Sequence, residues 1–332
     1  METSFELFGL TGYRLGLCAA IGVLALYAAM LLLGKKRGID PASVSILTIA
    51  ATVCGLVMAR VFYCLVNLSD FIEAYENPWL MLRFFDGGLS VAGLLCGMLL
   101  ALPLAAAITG KKSSELADIL CVPMGILFCA LYLGQQDTGL GIGEIVEENA
   151  VTGMFPWLFL CERMGVNVEY RMLVYLYQAI ASLVIVLIMV PLYLGAQRKQ
   201  GFRSGECALV SLALYGAAMI VMESLRDDGH MLIIFLRIGQ VVAALLVLIA
   251  LIVFSKRLRK QAGRTTALCW LARVVAVLLV VGIVVLEFAL DGRLAVLDAS
   301  NRFYYAVMIL LCMVAAVTVM ALHSAVRKAR AA

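Results

Sequence analysis

Charged side chains within apolar stretches are the first candidates for chemistry, because a charge in hydrocarbon costs several kcal/mol unless a partner or water receives it. Arg60 is the clearest case, and with Tyr63 and Asn67 it stands at i, i+3 and i+7, which puts all three on one helical face. Such a guanidinium either snorkels to a headgroup layer or binds an anion. A second polar stripe closes a later apolar stretch, where Tyr215, Met219, Glu223 and Arg226 fall at i, i+4, i+8 and i+11. Glu223 and Arg226 make either an interfacial ion pair or an inward-facing carboxylate and guanidinium able to hold a phosphate or take a thiol proton.

Two glycine-rich segments complete the set. Asp86-Gly87-Gly88-Leu89-Ser90 leads to Gly93 and Gly97, a small-xxx-small face that either admits a neighbouring helix or leaves room for a ligand. The run from Gly134 through Gln135, Gln136, Asp137, Gly139, Gly141 and Gly143 to Glu144 has amides to offer an anion but lacks P-loop spacing, so a flexible loop is the plain alternative. Nothing suggests a metal or another cofactor. No CxxC or Cys/His pair has ligand spacing, His230 and His323 are far apart, and of the ten cysteines only Cys161 lies clearly outside the apolar runs. The cysteines read as small apolar packing residues.

The elements that position these groups must be membrane helices. With 64% hydrophobic and 14% charged residues among 332, and a mean hydropathy of +1.02, the chain has too little polar surface to cover a water-soluble globule. A secreted disulfide scaffold is excluded as well, and so are disorder and a fibrous repeat, because there is no low-complexity segment or short internal period. The net charge of +4 comes from bases clustered in short gaps, not from a stripe suited to nucleic acid. Nine apolar stretches are long enough to cross a bilayer: 14–33, 44–66, 87–108, 116–134, 172–194, 207–225, 232–254, 267–289 and 303–323. The expected fold class is therefore all-α, a polytopic integral membrane protein with about nine spans.

Alternate connections carry Lys35, Lys36 and Arg37; Lys111 and Lys112; Arg198, Lys199 and Arg203; Lys256, Arg257, Arg259, Lys260 and Arg264; and Arg327, Lys328 and Arg330, including every lysine of the chain. Positive loops stay cytoplasmic, so the N-terminus is expected outside and the C-terminus in the cytoplasm. The two longest loops, about 67–86 and 135–171, then face outward with Asp70, Glu73, Glu76, Asp137, Glu144, Glu147, Glu148, Glu162 and Glu169.

Taken in order, these segments resemble the bacterial prolipoprotein diacylglyceryl transferase family. Ala59-Arg60 through Tyr63 looks like its Gly-Arg-x-x-Tyr segment, Gly87-Gly88 through Gly97 like its Gly-Gly-rich motif, and Gly143-Glu144 like the end of GRxGNFxNxE. Tyr177-Gln178 looks like its Tyr-Glu step, Tyr215-Gly216 through Glu223 and Arg226 like YGxxRxxxExxR, and Gly239-Gln240 like the opening of its last helix. The likeness divides the chain into a transferase-like membrane core, 1–257, and a two-helix extension, 258–332, that serves either packing or partner binding. The chain also departs from the pattern. The family's histidine falls at Ala92, one arginine at Gln135 or Gln136 and another at Met219, and the signature asparagine has no counterpart.

The resemblance implies transfer of diacylglyceryl from phosphatidylglycerol to the thiol of a lipoprotein-precursor cysteine, in a bacterial plasma membrane. Carried over residue by residue, it makes Glu144, Glu223 and Arg226 catalytic candidates. Arg60, Tyr63, Gly87, Gly88, Gly93, Gln136 and Tyr215 become substrate contacts. Arg60, Glu144, Glu223 and Arg226 are expected to line one cavity. The alternatives are a catalytically inactive relative that binds lipid or lipoprotein, favoured by the departures, and a secondary transporter, which would need a repeat that is not visible.

Overall fold

The structure is a computed structural model that describes the chain except residues 1–3, 8–9, 75–77, 84–86, 165–166, 198–202, 294–299 and 332. Glu76, Asp86, Arg198 and Lys199 lie outside the described residues, as do the side chains of Glu73 and Glu162.

A short hairpin, β1 (Ser4–Leu7) and β2 (Leu10–Tyr13), leads into α1 (Arg14–Arg37), α2 (Pro41–Val66) and α3 (Val91–Thr109). Next, α4 (Ser113–Cys121) and α5 (Gly125–Gly134) form a pair bent 43° across residues 122–124. Then come β3 (Ile142–Val146), α6 (Ala150–Met154), β4 (Phe159–Met164), β5 (Asn167–Leu173), α7 (Val174–Gln197) and α8 (Glu206–Ser224). A hairpin of β6 (Leu232–Ile233) and β7 (Leu236–Arg237) precedes α9 (Ile238–Ala262), α10 (Ala267–Leu290) and α11 (Asn301–Ala331). Among the described residues, eight helices are long and apolar enough to span a membrane, nine if the bent pair is counted as one span. Leu24, Ile49, Leu187 and Val277, all more than 60% exposed, turn outward as lipid-facing residues should.

Two helix starts differ from the apolar windows. The third helix begins at Val91, because Gly87 and Gly88 take φ of +77° and +67° and the Ser90 hydroxyl accepts the Gly93 amide at 3.2 Å as a cap. Helix α9 begins at Ile238, because apolar Leu232–Leu236 is spent on the small hairpin. The connection expected as a loop over 135–171 holds an antiparallel sheet in the order β3-β5-β4, with a register shift between Ile142 and Ile145. Its short strands pair across sequence, which a search for long apolar runs does not detect.

Close packing of α2 on α3 depends on missing side chains. A Cβ on Gly97 would lie 2.2 Å from the Cys54 carbonyl oxygen, and one on Gly93 would lie 2.4 Å from that of Met58. The basic connections meet at one end of the bundle. There Lys111 pairs with Asp40 at 3.3 Å, Arg37 with Asp118 at 3.2 Å, and Glu206, only 1% exposed, receives Arg257 at 3.2 Å and Arg330 at 2.7 Å. Arg330 lies on α11, so the last helix is tied to the first residue of α8. It also packs along α8 and α9.

Gly97→Val is expected to lower the melting temperature of the detergent-solubilised protein, at an overpacking cost of about 3 kcal/mol. Gly153→Ala, where a Cβ meets nothing within 4 Å, should leave it unchanged.

Candidate active site

The polar groups opposite the basic end converge on one carboxylate. Asp228, in the α8–α9 connection, accepts the Gly141 amide at 2.6 Å, two nitrogens of Arg226 at 2.8 and 3.0 Å, and Arg237 at 2.8 Å. Arg226 also reaches Glu223 at 3.3 Å, and Glu223 accepts the Gln178 amide of α7 at 2.9 Å. Two carboxylates and two guanidiniums are thus interleaved in a largely buried site, an arrangement in which removing one partner strands another. Burial alone would raise the Asp228 carboxyl, but Arg226, the Gly141 amide and Arg237 outweigh it and hold it below the ordinary carboxylate range.

The same knot fixes the backbone around it. Gly143 bridges Arg226 as an isolated antiparallel pair, and the Asp227 amide donates to Ile142 oxygen at 2.9 Å, so β3 is stitched to the end of α8. Arg237 donates to the carbonyls of Arg226, Asp228 and His230, which holds a connection where Met231 and Ile234 sit at φ of 59° and 60°. Glu144 therefore lies one residue from the bridged pair. It is half-buried and accepts the Tyr305 hydroxyl of α11 at 2.9 Å.

Arg60 is 4% exposed, and all three of its nitrogens donate to backbone carbonyls: Nε to Met81 at 2.9 Å, one terminal nitrogen to Leu80 at 2.8 Å, the other to Gly88 at 3.2 Å and to Gly87. The guanidinium therefore neither snorkels nor stands open to an anion. It gathers the α2–α3 connection over the end of α2 and sits 5.6 Å from the Tyr63 ring centroid. Gly88 packs directly on Tyr63, since a Cβ there would lie 2.3 Å from the ring. Tyr63 in turn stacks on His230 at 5.7 Å, and this contact joins the Arg60 face to the Asp228 connection. Burial first, and Arg226 second, hold the His230 imidazole below its usual value.

Beneath the knot is a cavity of about 20 Å³, room for about one water. Its walls include Ala92 of α3, Tyr132 of α5, Tyr215, Met219 and Glu223 of α8, and Gly239 of α9. Tyr132 and Tyr215 share a hydrogen bond of 2.9 Å. Ala92 and Met219 face this same space and present apolar side chains to the tyrosines and Glu223.

Tyr215 and Glu223 thus line the cavity. Of the four residues expected to line one cavity, Glu223 does so and Arg60, Glu144 and Arg226 do not. Arg226 is joined to Glu223 by the ion pair, Glu144 follows the bridged Gly143 and meets Tyr305, and Arg60 with Tyr63, Gly87 and Gly88 forms a neighbouring group in contact with His230. Gly93 packs against Met58 and Phe62. Gln136 is exposed and accepts a hydrogen bond from Arg14 at 2.5 Å, away from the knot, whereas Gln135 is buried with an unpartnered side-chain oxygen. The sequence reading missed Asp228, Arg237, Tyr132 and Tyr305 as site residues. Asp228 carried a signal, an acid two residues from Arg226, while the two tyrosines lie in apolar runs and carried none.

Asp228→Asn is expected to destabilise the protein by roughly 3 kcal/mol by leaving two guanidiniums underpaired, read as a lower melting temperature. Because folding depresses this carboxyl, its contribution is complete above about pH 5 and fades as pH falls through the lower folded value. The acid limb of the melting profile should therefore flatten in the variant.

A sequence profile described as prolipoprotein diacylglyceryl transferase matches residues 2–256. A phosphatidylglycerol–prolipoprotein diacylglyceryl transferase of Bacillus licheniformis is 25% identical over 259 residues, 76% of this chain and 91% of the relative. The protein of that name from Bacillus velezensis is 26% identical over 263 residues, covering 77% and 92%, and that from Streptococcus pyogenes is 27% identical over 256 residues, covering 74% and 91%. With its multi-span helical bundle and a profile match over most of its length, the chain belongs to the prolipoprotein diacylglyceryl transferase family.

Proposed function

We propose that this chain transfers a diacylglyceryl group from phosphatidylglycerol to the cysteine thiol of a lipoprotein precursor, at the end of the bundle where Glu144, Glu223 and Arg226 meet. The observation that carries the reading is the Gly143–Arg226 bridge, which sets a half-buried carboxylate beside a buried acid–base knot within a chain of this family. The reaction needs a thiolate and a stabilised leaving phosphate. Glu144, the more accessible acid, takes the thiol proton. The sulfur forms a bond to the glyceryl carbon that carries the phosphate, the carbon–oxygen bond breaks, and glycerol phosphate leaves with that bonding pair. Arg226 serves the departing phosphate by exchanging one of its Asp228 contacts for a phosphate oxygen. Arg60 acts by shaping the Leu80–Gly88 connection, and Glu223 by orienting Arg226.

The basic end is assigned to the cytoplasm and the sheet-bearing end to the outer face of a bacterial plasma membrane, in keeping with the distribution of Lys and Arg. The donor lipid and the precursor cysteine then reach the site from the outer leaflet. The C-terminal extension takes part through Tyr305, whose hydroxyl steadies Glu144.

A second reading, lipid or precursor binding without turnover, is favoured by one observation: the guanidinium of Arg60 is fully committed to carbonyls, and the cavity offers Ala92 and Met219 in place of polar groups. Complementation of a transferase-depleted bacterium separates the two. Rescue by this chain and its loss with Glu144→Gln at equal expression is the expected result, and failure of the unaltered chain to rescue decides for binding alone. Tyr305→Phe should slow turnover by about tenfold, since a hydrogen bond to a charged acceptor is worth about 1.5–3 kcal/mol. Its melting temperature should stay within a few degrees.

A further inference from the structure

The basic end holds a second feature, formed in part by residues beyond 256, where the match to the family profile ends. Ile252, Ser255, Lys256 and Arg259 stand at i, i+3, i+4 and i+7 on α9, and Cys269, Ala272, Arg273 and Ala276 repeat that spacing on α10. The two faces meet along a cleft of about 180 Å³, closed inward by Leu251. Three cations rim it. Lys256 and Arg259 are exposed and have no ion pair among the described residues, unlike their neighbour Arg257, which turns inward to Glu206. Arg273 lies over the Trp270 ring at 4.6 Å, and Trp270 is 59% exposed, the posture of an aromatic anchor at a headgroup layer. Inside the cleft the Ser255 hydroxyl is buried and makes no hydrogen bond among the described residues. No acidic side chain is among the lining residues.

We propose that this cleft between α9 and α10 binds the headgroup of an anionic phospholipid. Lys256, Arg259 and Arg273 meet the phosphate, the Ser255 hydroxyl donates to one of its oxygens, and the acyl chains run along the apolar faces below. Charge complementarity selects this occupant: uncompensated cations sit above an apolar wall at the depth where headgroups lie, as in basic pockets between membrane helices. The cleft lies about 26 Å along α9 from Gly239, taking 1.5 Å for each residue to Lys256, so it is separate from the candidate active site. The inference does not depend on catalysis.

The test uses the full chain in neutral detergent, with cardiolipin as probe and phosphatidylcholine as the neutral control, and counts bound lipid by native mass spectrometry. The unaltered protein should retain cardiolipin over phosphatidylcholine. The triple variant K256Q/R259Q/R273Q should bind it on the order of 100-fold more weakly, about a factor of five for each cation lost. Because these side chains are exposed, the triple variant should melt normally in phosphatidylcholine nanodiscs. Ala276→Leu, which fills the cleft without altering charge, should weaken retention as well. Unchanged cardiolipin binding in both variants overturns the proposal. So does displacement of the lipid by an equal concentration of soluble glycerol phosphate, which would make the cleft a site for free phosphate.

Discussion

A charge in hydrocarbon persists only against a partner brought by another part of the chain, and this requirement organises both ends of the bundle. At one end Glu206 is buried against Arg257 and Arg330, and Asp118 accepts two backbone amides and Arg37, which ties helices from the beginning, middle and end of the sequence together. At the other end Asp228 joins Arg226, Arg237 and the Gly141 amide, while Glu223 joins Arg226 and Gln178. Neither knot follows from apolar packing alone. Each buried charge is tolerable only because its partners arrive in fixed geometry, so the helices cannot slide past one another without exposing one of them.

The second knot doubles as the candidate site, and that dual use constrains the chemistry. The donors of Arg226 are divided between two carboxylates, so a phosphate can be bound only by exchange. Arg60 is further from free, since its guanidinium holds a connection closed over Tyr63 and Gly88. Glu144 differs from both. Its partner is a neutral hydroxyl and it keeps partial access, which suits an acid that must gain and lose a proton.

The two C-terminal helices are not a peripheral attachment. They supply Tyr305 to Glu144 and Arg330 to Glu206, and the Glu287 carboxylate accepts Gln240 of α9 at 2.6 Å. They touch polar groups at both ends of the core while their outer faces stay apolar, with Trp270, Val277 and Val317 more than half exposed. With α9 the extension also forms an interhelical cleft at the basic end.

Much of the architecture was legible in the sequence, because a bilayer imposes a length of about 20 apolar residues on each crossing and chain composition reports it directly. The spans, the basic connections and the polar stripe through Tyr215, Glu223 and Arg226 all follow from hydropathy and a helical period, and local spacing alone determines them. Spacing cannot say which neighbour a side chain meets. Arg60 had the sequence of an anion ligand and became a clamp on carbonyls, Gly93 became a helix contact, and Gln136 turned to Arg14, because each outcome depends on which segment folds alongside. Asp228, Tyr132 and Tyr305 became site residues for the same reason. Their partners are brought near by helix packing and a single strand bridge, contacts between segments up to 161 residues apart that exist only once the chain is folded.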